Sequence, residues 1–348
     1  MENKIKNILT TVIHPAQKGD IVSLGMVKNI KVTDDEVMII VQLSRVKDPF
    51  AKKMKREIEA AILRVFPQYN EKINVIVKEA EAKVHPKLEV LMPETNKIKK
   101  IVAVSSCKGG VGKSTITAMT AMALSKKGYK VGIIDTDIYG PSMPKMFDLE
   151  GFKPMAVEVG DRQLMVPAES MGIKIMSIGF FINPTDALVW RGPMATNALK
   201  QLINQTKWDS LDYLLIDLPP GTGDVHLTVL GELKVNGAII VSTPQSIAIA
   251  DVVRGIEMFN KEGIKVPILG LVENMAWFTP ADAPEKKYYL FGKDGCKNLA
   301  EERDLALLSQ IPLVIEEGEK TDRGALSFDN AILNECYNDI AQTIIDKI

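Results

Sequence analysis

The fold is decided by the stretch SSCKGGVGKST, residues 105–115 of this 348-residue chain. It follows the apolar run 101–104, which predicts a buried strand, and leads into residues 116–124, which predict a helix. Three glycines in the turn let backbone N–H groups point inward around an anion, and the helix N-terminus adds partial positive charge. The stretch is therefore a phosphate-binding loop, and a nucleoside triphosphate fits it.

Most positions of this loop have an expected role. Lys113 is expected to reach the β- and γ-phosphates, and the Ser114 hydroxyl is expected to bind Mg²⁺. Cys107 replaces the first glycine of the usual pattern, which would strain the backbone if that position required a positive φ. Its thiol is either a redox-sensitive group at a helix N-terminus or a small residue that fits the turn. The residues expected to bind ATP are Cys107, Lys108, Gly109, Gly110, Val111, Gly112, Lys113, Ser114 and Thr115.

Two apolar segments farther along the chain end in acids, the first in Asp135 and Asp137 and the second in Asp217. Because parallel-sheet sites lie at the carboxyl ends of strands, these acids should meet at the phosphate-binding loop. Asp137 is predicted to position the attacking water, whereas Asp135 and Asp217 are predicted to bind Mg²⁺ together with Ser114. The backbone N–H of Gly221, in the loop after Asp217, is expected to sense the γ-phosphate.

Apolar segments at 237–242 and 267–273, with helical patterns between them, continue the alternation of strands and helices. This alternation predicts an α/β fold, a P-loop NTPase with a mostly parallel sheet covered by helices on both faces. Residues 1–80 predict a separate small α+β domain in the order α-β-β-α-β. A charged, proline-containing linker at 81–98 then leads to the ATPase domain at 99–348.

Composition narrows the class of protein. The formal net charge is −1, and no apolar run approaches the roughly 18 residues that span a bilayer. Three scattered cysteines are too few for a disulfide framework, which fits a reducing compartment. We therefore expect a cytoplasmic protein with no membrane or nucleic-acid partner. A C-terminal apolar stripe at 332–345 is interrupted by acids, so it is expected to pack on the core rather than on lipid.

Lys108 gives the loop the form K-G-G-x-G-K-[ST], which resembles the MinD/ParA family of dimeric ATPases. In that family this lysine crosses the subunit interface to the partner's nucleotide. The resemblance therefore implies a homodimer in which Lys108 is catalytic beside Lys113 and Asp137. It also implies that Asn274, which follows a predicted strand, reads the adenine edge. The alternative for an asparagine at a strand end is that it caps the backbone.

Further motifs narrow the resemblance. The N-terminal module contains His14-Pro15 and DIVSLGMV at 20–27, and the ATPase domain contains WRGP at 190–193 and DLPPGTGD at 217–224. Together with the pair Asp135-x-Asp137, they closely resemble the Mrp (ApbC) proteins, which are iron–sulfur cluster carriers. The resemblance implies a homodimer that binds Mg-ATP, hydrolyses it slowly and carries a transferable 4Fe–4S cluster. The implied partners are apo iron–sulfur proteins or assembly scaffold proteins.

The sequence departs from these carriers at the cluster site. The carriers have a Cys-x-x-Cys pair shortly after the segment that corresponds to 273–275, but here residues 276–284 read AWFTPADAP. Cys296 is the nearest cysteine and is the predicted ligand of a labile cluster, because thiolates are the usual ligands of such clusters. Two other functions remain open: a MinD/ParA-like spatial switch on a membrane or DNA, and an adaptor that binds ATP without hydrolysing it.

Overall fold

The computed structural model describes residues 1–33, 36–43, 50–78, 94–182 and 192–348. The chain divides into two compact units, Met1–Leu91 and Met92–Ile348. Most of the predicted linker at 81–98, and Trp190-Arg191 of the family motif, lie outside the described residues.

The first unit follows the predicted α-β-β-α-β order. Its elements are α1 (Glu2–Leu9), β1 (Val27–Val32), β2 (Val37–Gln42), α2 (Ala51–Val65) and β3 (Ile73–Lys78). β2 lies in the centre of the sheet, antiparallel to β1 and parallel to β3. Every second residue of β2 is buried, and the apolar faces of α1 and α2 belong to the same core. Amphipathic helices on one face of a three-stranded sheet therefore explain this unit.

The second unit contains the phosphate-binding loop. Its elements, in chain order, are β4 (Ile98–Ser106), α3 (Lys113–Lys126), β5 (Val131–Asp135), α4 (Met143–Met146), β6 (Ala156–Val159), β7 (Arg162–Met165), β8 (Ala168–Ser170), β9 (Ile173–Ser177), α5 (Gly192–Asn204), β10 (Leu211–Pro220), α6 (Asp224–Glu232), β11 (Gly237–Ser242), α7 (Ser246–Asn260), β12 (Ile268–Phe278), α8 (Gly295–Glu302), β13 (Leu307–Leu313), α9 (Ile315–Asp322) and α10 (Ala331–Lys347).

Eight strands form one sheet in the order β13-β12-β11-β4-β10-β5-β9-β8. β8 runs antiparallel to β9, and the other neighbouring pairs are parallel. β6 and β7 form a separate hairpin. The sheet confirms the predicted mostly parallel P-loop NTPase fold. Because β4 lies between β10 and β11, the phosphate-binding loop leaves the middle of the sheet beside the acid-bearing end of β10.

Helix packing around β4 keeps this loop in place. α3 is buried from Ile116 to Leu124 without interruption, so it has no solvent-facing stripe over that length. α10 covers it with the buried residues Leu333, Tyr337, Ile340, Ala341 and Ile344. The C-terminal apolar stripe therefore packs on the core, as predicted. Over the part of the chain that the structure describes, no helix is both long and apolar enough to span a membrane.

Candidate nucleotide-binding and active site

A cavity of about 530 Å³ opens at the carboxyl ends of the central strands. Its walls include residues 109–115 of the phosphate-binding loop, Asp137 after β5 and Pro220 at the end of β10. Residues 140–142 and residues of α4 and α9 also line it. The topology therefore brings the loop and two acid-bearing strand ends to one cavity, as parallel-sheet connectivity requires.

Two glycines shape the loop. Gly110 and Gly112 have φ values of 79° and 86°, in the left-handed region that favours glycine. A Cβ at Gly112 would also collide with the side-chain amide of Asn274. The backbone at Cys107 does not lie in the left-handed region, so the strain considered for this cysteine is absent.

Lys113 begins α3 with its amino group between two carboxylates. Its Nζ lies 2.7 Å from Asp217 Oδ1 and 3.8 Å from Asp137 Oδ2. The Ser114 hydroxyl donates to Asp217 Oδ2 at 2.7 Å, and the Thr117 hydroxyl lies 2.9 Å from Asp217 Oδ1. Lys113 is 6% exposed and Asp217 is fully buried, so water screens this ion pair weakly. Three predicted residues therefore meet, and Thr117 joins them one helical turn beyond Lys113.

Asp137 stands at the cavity wall. Its Oδ1 accepts a hydrogen bond from the Tyr139 backbone N–H at 3.2 Å. Burial raises the pKa of Asp137 above its ordinary value, the Lys113 charge opposes this effect, and the Asp217 charge adds to it. The structure thus places a carboxylate with a raised pKa 3.8 Å from the Lys113 amino group.

Asp135 faces the protein interior instead of the cavity. Its Oδ2 accepts hydrogen bonds from the Ser177 hydroxyl at 2.8 Å and the Met143 N–H at 3.3 Å. Its Oδ1 accepts one from the Asp137 N–H at 3.1 Å. Burial, followed by the charge of Asp217, raises the pKa of Asp135 to about 7. These hydrogen bonds make the Asp135 carboxylate a support for the loop that carries Asp137, and its predicted role as a Mg²⁺ ligand stays a prediction.

Two predicted nucleotide contacts are engaged with the protein. Asn274 is buried outside the cavity lining, and its Nδ2 donates to the Val111 carbonyl at 2.9 Å. This contact is a hydrogen bond to the backbone, as in the alternative for Asn274, and its role toward adenine stays a prediction. The Gly221 N–H donates to the Ser106 carbonyl at 2.9 Å, so it must break that bond before it can contact a γ-phosphate.

Cys107 and Lys108 do not line the cavity. The Cys107 sulfur packs against Gly255 of α7, where a Cβ would collide with it. Burial raises the pKa of Cys107 to about 11, so the side chain is a thiol and not a reactive thiolate. The high pKa therefore favours the second alternative for Cys107, a small residue that fits the turn, over a redox-sensitive group. Lys108 is half-buried and forms no hydrogen bond or ion pair with the described residues.

Comparisons with known proteins agree with this geometry. A family model described as NUBPL iron-transfer P-loop NTPase matches residues 97–347, and one described as iron-sulfur cluster assembly protein matches residues 2–88. The chain belongs to the NUBPL iron-transfer family of P-loop NTPases. It is 38% identical to the iron-sulfur cluster carrier protein of Haemophilus influenzae over 344 residues, covering 99% of this chain and 89% of that protein.

Solved structures give the same fold. The nucleotide-binding protein of Archaeoglobus fulgidus, solved with ADP, is 39% identical, with a TM-score of 0.60 over 70% of this chain and 93% of that one. The cell division ATPase MinD of Pyrococcus furiosus is 20% identical, with a TM-score of 0.51 over 71% of this chain and 99% of that one. The second likeness concerns the fold alone.

Cys296 lies in the hydrophobic core of the second unit. Its side chain is fully buried in the hydrophobic core, and its N–H donates to Glu273 Oε2 at 2.6 Å. Burial, followed by the charge of Glu273, raises the pKa of Cys296 to about 12. The burial of the thiol and its raised pKa argue against Cys296 as a cluster ligand, and this role stays a prediction. Within the described ranges, no group of three or more His, Cys, Asp or Glu side chains could hold a metal ion.

Sequence reasoning missed one wall of the cavity. Lys145 and Met146 on α4, and Thr321 and Asp322 at the end of α9, line it without belonging to a recognised motif. A single sequence shows only that these segments are short and charged. The turn after α9 brings them to the loop, and this packing is visible only in three dimensions.

Proposed function

We propose that this chain is a slowly hydrolysing, homodimeric ATPase of the cytoplasm that assists the assembly or transfer of iron–sulfur clusters. One arrangement supports the ATPase: Lys113 and Ser114 begin α3 at the cavity, and both contact Asp217. The family, and the carrier function named for the H. influenzae relative, support the iron–sulfur role.

The donor set suits Mg²⁺. The carboxylate of Asp217 and the hydroxyl of Ser114 offer the oxygen ligands that this cation prefers. These residues would hold it directly or through water, and Mg²⁺ supplies positive charge for the phosphate oxygens when bound. Lys113 supplies a further positive charge. To contact phosphate, its amino group must give up part of its interaction with Asp217.

Asp137 is proposed to orient the water that attacks the γ-phosphorus. The water oxygen forms the new P–O bond as the bond to the β-phosphate oxygen breaks, which releases ADP and phosphate. A carboxylate with a raised pKa at the cavity wall suits this task, because it accepts a hydrogen bond from the water. Asp135 contributes by fixing the Asp137 loop.

Lys108 supports the dimer. Since it has no partner among the described side chains and does not line its own cavity, its amino group is available to a nucleotide bound by a second copy.

The likeness to MinD does not support a spatial-switch function for this chain, because it concerns the fold alone. In addition, α10 buries its apolar stripe on the core.

The cluster is proposed to be cargo whose ligands come largely from the donor or acceptor protein. Cys296 is buried, whereas Cys107 and Cys336 are half-buried, and burial raises the pKa of all three thiols. None of the three presents a ready thiolate, so a cluster would find few ligands on this chain alone.

We therefore expect the protein purified without oxygen to contain little iron or acid-labile sulfide while it binds Mg-ATP normally. Cys296→Ser should leave the iron content unchanged and lower the free energy of unfolding by about 1–3 kcal/mol, because it buries a hydroxyl in the core. Iron and sulfide analysis and denaturant unfolding measure these effects. A fully occupied cluster that Cys296→Ser removes would contradict the proposal.

A further inference from the structure

One wall of the cavity lies outside the recognised nucleotide-binding motifs. Lys145 on α4 and Asp322 on α9 both line it, opposite in charge and far apart in sequence. The phosphate-binding loop, Asp137 and Asp217 account for the triphosphate and its cation. The nucleoside is the part of a nucleotide that these residues do not contact, so we assign it to the wall formed by α4 and α9.

Close backbone packing fixes this wall. Gly324, two residues after Asp322, has a φ of 70°, and a Cβ there would lie 2.8 Å from the Lys145 carbonyl oxygen. It would also lie 3.3 Å from the Asp148 Cα. The glycine therefore allows the turn after α9 to press against the end of α4, which holds Asp322 and Lys145 on the same cavity.

Ion pairs also hold α9. The Lys320 amino group lies 3.1 Å from Glu317 Oε1 and 3.1 Å from Asp329 Oδ1. It also donates to the Ser327 hydroxyl at 2.9 Å. These contacts join the helix to the chain that follows it, so Asp322 sits on an anchored turn.

Asp322 takes no part in the contacts that hold α9. Its carboxylate is exposed and has no hydrogen bond or ion pair within the described parts of the protein. It is the last residue of α9, where the helix dipole disfavours negative charge. Asp322 is thus an exposed acid without a partner among the described residues, at an unfavourable helix position and on the wall of the cavity.

The chemistry of a carboxylate selects the group that it contacts. Phosphate oxygens would repel it, whereas the ribose hydroxyls of a nucleotide donate hydrogen bonds to it. Dinucleotide-binding folds use an acid toward ribose in the same way. We propose that Asp322 accepts hydrogen bonds from the ribose hydroxyls of the bound nucleotide and thereby favours ribonucleotides. This inference rests on the proposed ATP-binding function and adds the residue that reads the sugar.

The test compares equilibrium binding of Mg-ATP and Mg-2′,3′-dideoxy-ATP to the full chain and to Asp322→Ala. The wild-type protein should bind ATP about tenfold or more tightly than the dideoxy analogue, because hydrogen bonds to a charged group are lost. Asp322→Ala should lose that factor for ATP and keep wild-type affinity for the analogue. The near-isosteric Asp322→Asn should show intermediate discrimination. Glu316→Ala, an exposed acid at the other end of α9, is the matched control and should leave both affinities unchanged.

Three results would overturn the inference: no discrimination by the wild-type protein, discrimination that persists in Asp322→Ala, or equal loss of both nucleotides. Circular dichroism and thermal unfolding of both Asp322 variants separate a folding defect from lost recognition. A wild-type chain that binds neither nucleotide contradicts the proposed function itself. A chain that binds both, with a sugar preference independent of residue 322, contradicts only this inference.

Discussion

Lys108→Ala is expected to slow ATP hydrolysis about 10³-fold while leaving Mg-ATP affinity nearly unchanged, by analogy with arginine fingers supplied in trans. The lysine belongs to the phosphate-binding loop but does not line its own cavity and has no partner among the described residues. Its charge is therefore proposed to stabilise the transition state on the other subunit's nucleotide. Single-turnover hydrolysis and nucleotide titration measure the two quantities separately.

The same mechanism makes hydrolysis depend on protein concentration. Dilution below the dimer dissociation constant should lower the rate per subunit of the wild-type protein, but not the low residual rate of Lys108→Ala. Lys234→Ala, which removes an exposed lysine from the same unit, is the control and should behave as wild type. A constant rate per subunit on dilution, together with full activity of Lys108→Ala, would contradict the trans role.

Asp137→Asn is expected to bind Mg-ATP and to lose turnover by about 10²- to 10⁴-fold, the usual contribution of a positioned acid–base group. The asparagine keeps the size of the side chain but orients the water less well and cannot accept its proton. Lys113, Ser114 and Asp217 remain in place, so affinity should change little. Pre-steady-state phosphate release and equilibrium binding measure turnover and affinity.

Asp217→Asn provides the contrast. It removes the negative charge that is proposed to hold Mg²⁺ and that pairs with Lys113 at 2.7 Å, so it should raise the Mg²⁺ concentration needed for binding. Asp161→Asn, in the exposed turn between β6 and β7, is the control for an acid-to-amide change. Wild-type turnover by Asp137→Asn would remove this residue from the mechanism.

The sequence was sufficient for the parts of the site that depend on local pattern. The glycine spacing of the loop, and the acids at strand ends, follow from backbone geometry and from the way in which parallel strands align their carboxyl ends. The order α-β-β-α-β of the first unit was predictable for the same reason, since its helices and strands are amphipathic. These features require no knowledge of distant packing.

The surroundings of Asp135 and Cys296 could not be predicted, because their neighbours come from elsewhere in the chain. The hydroxyl of Ser177, on β9, donates a hydrogen bond to the Asp135 carboxylate. The packing of α8 against β12 buries Cys296 in the core. Asp322 belongs to no recognised motif. Its place on the cavity depends on the close approach of Gly324 to α4, which a single sequence does not show. A strand-end acid or a nearby cysteine is visible in the sequence, but the direction of its side chain is not.

The most direct test of the account measures, without oxygen, how fast an apo acceptor gains a 4Fe–4S cluster from iron, sulfide and thiol in the presence of this protein. The account predicts acceleration that requires Mg-ATP, that ADP does not support, and that Lys113→Ala abolishes because the phosphate contact is lost. Acceleration that is independent of ATP, or equal with Lys113→Ala, would contradict the claim that the Lys113 cavity drives cluster delivery.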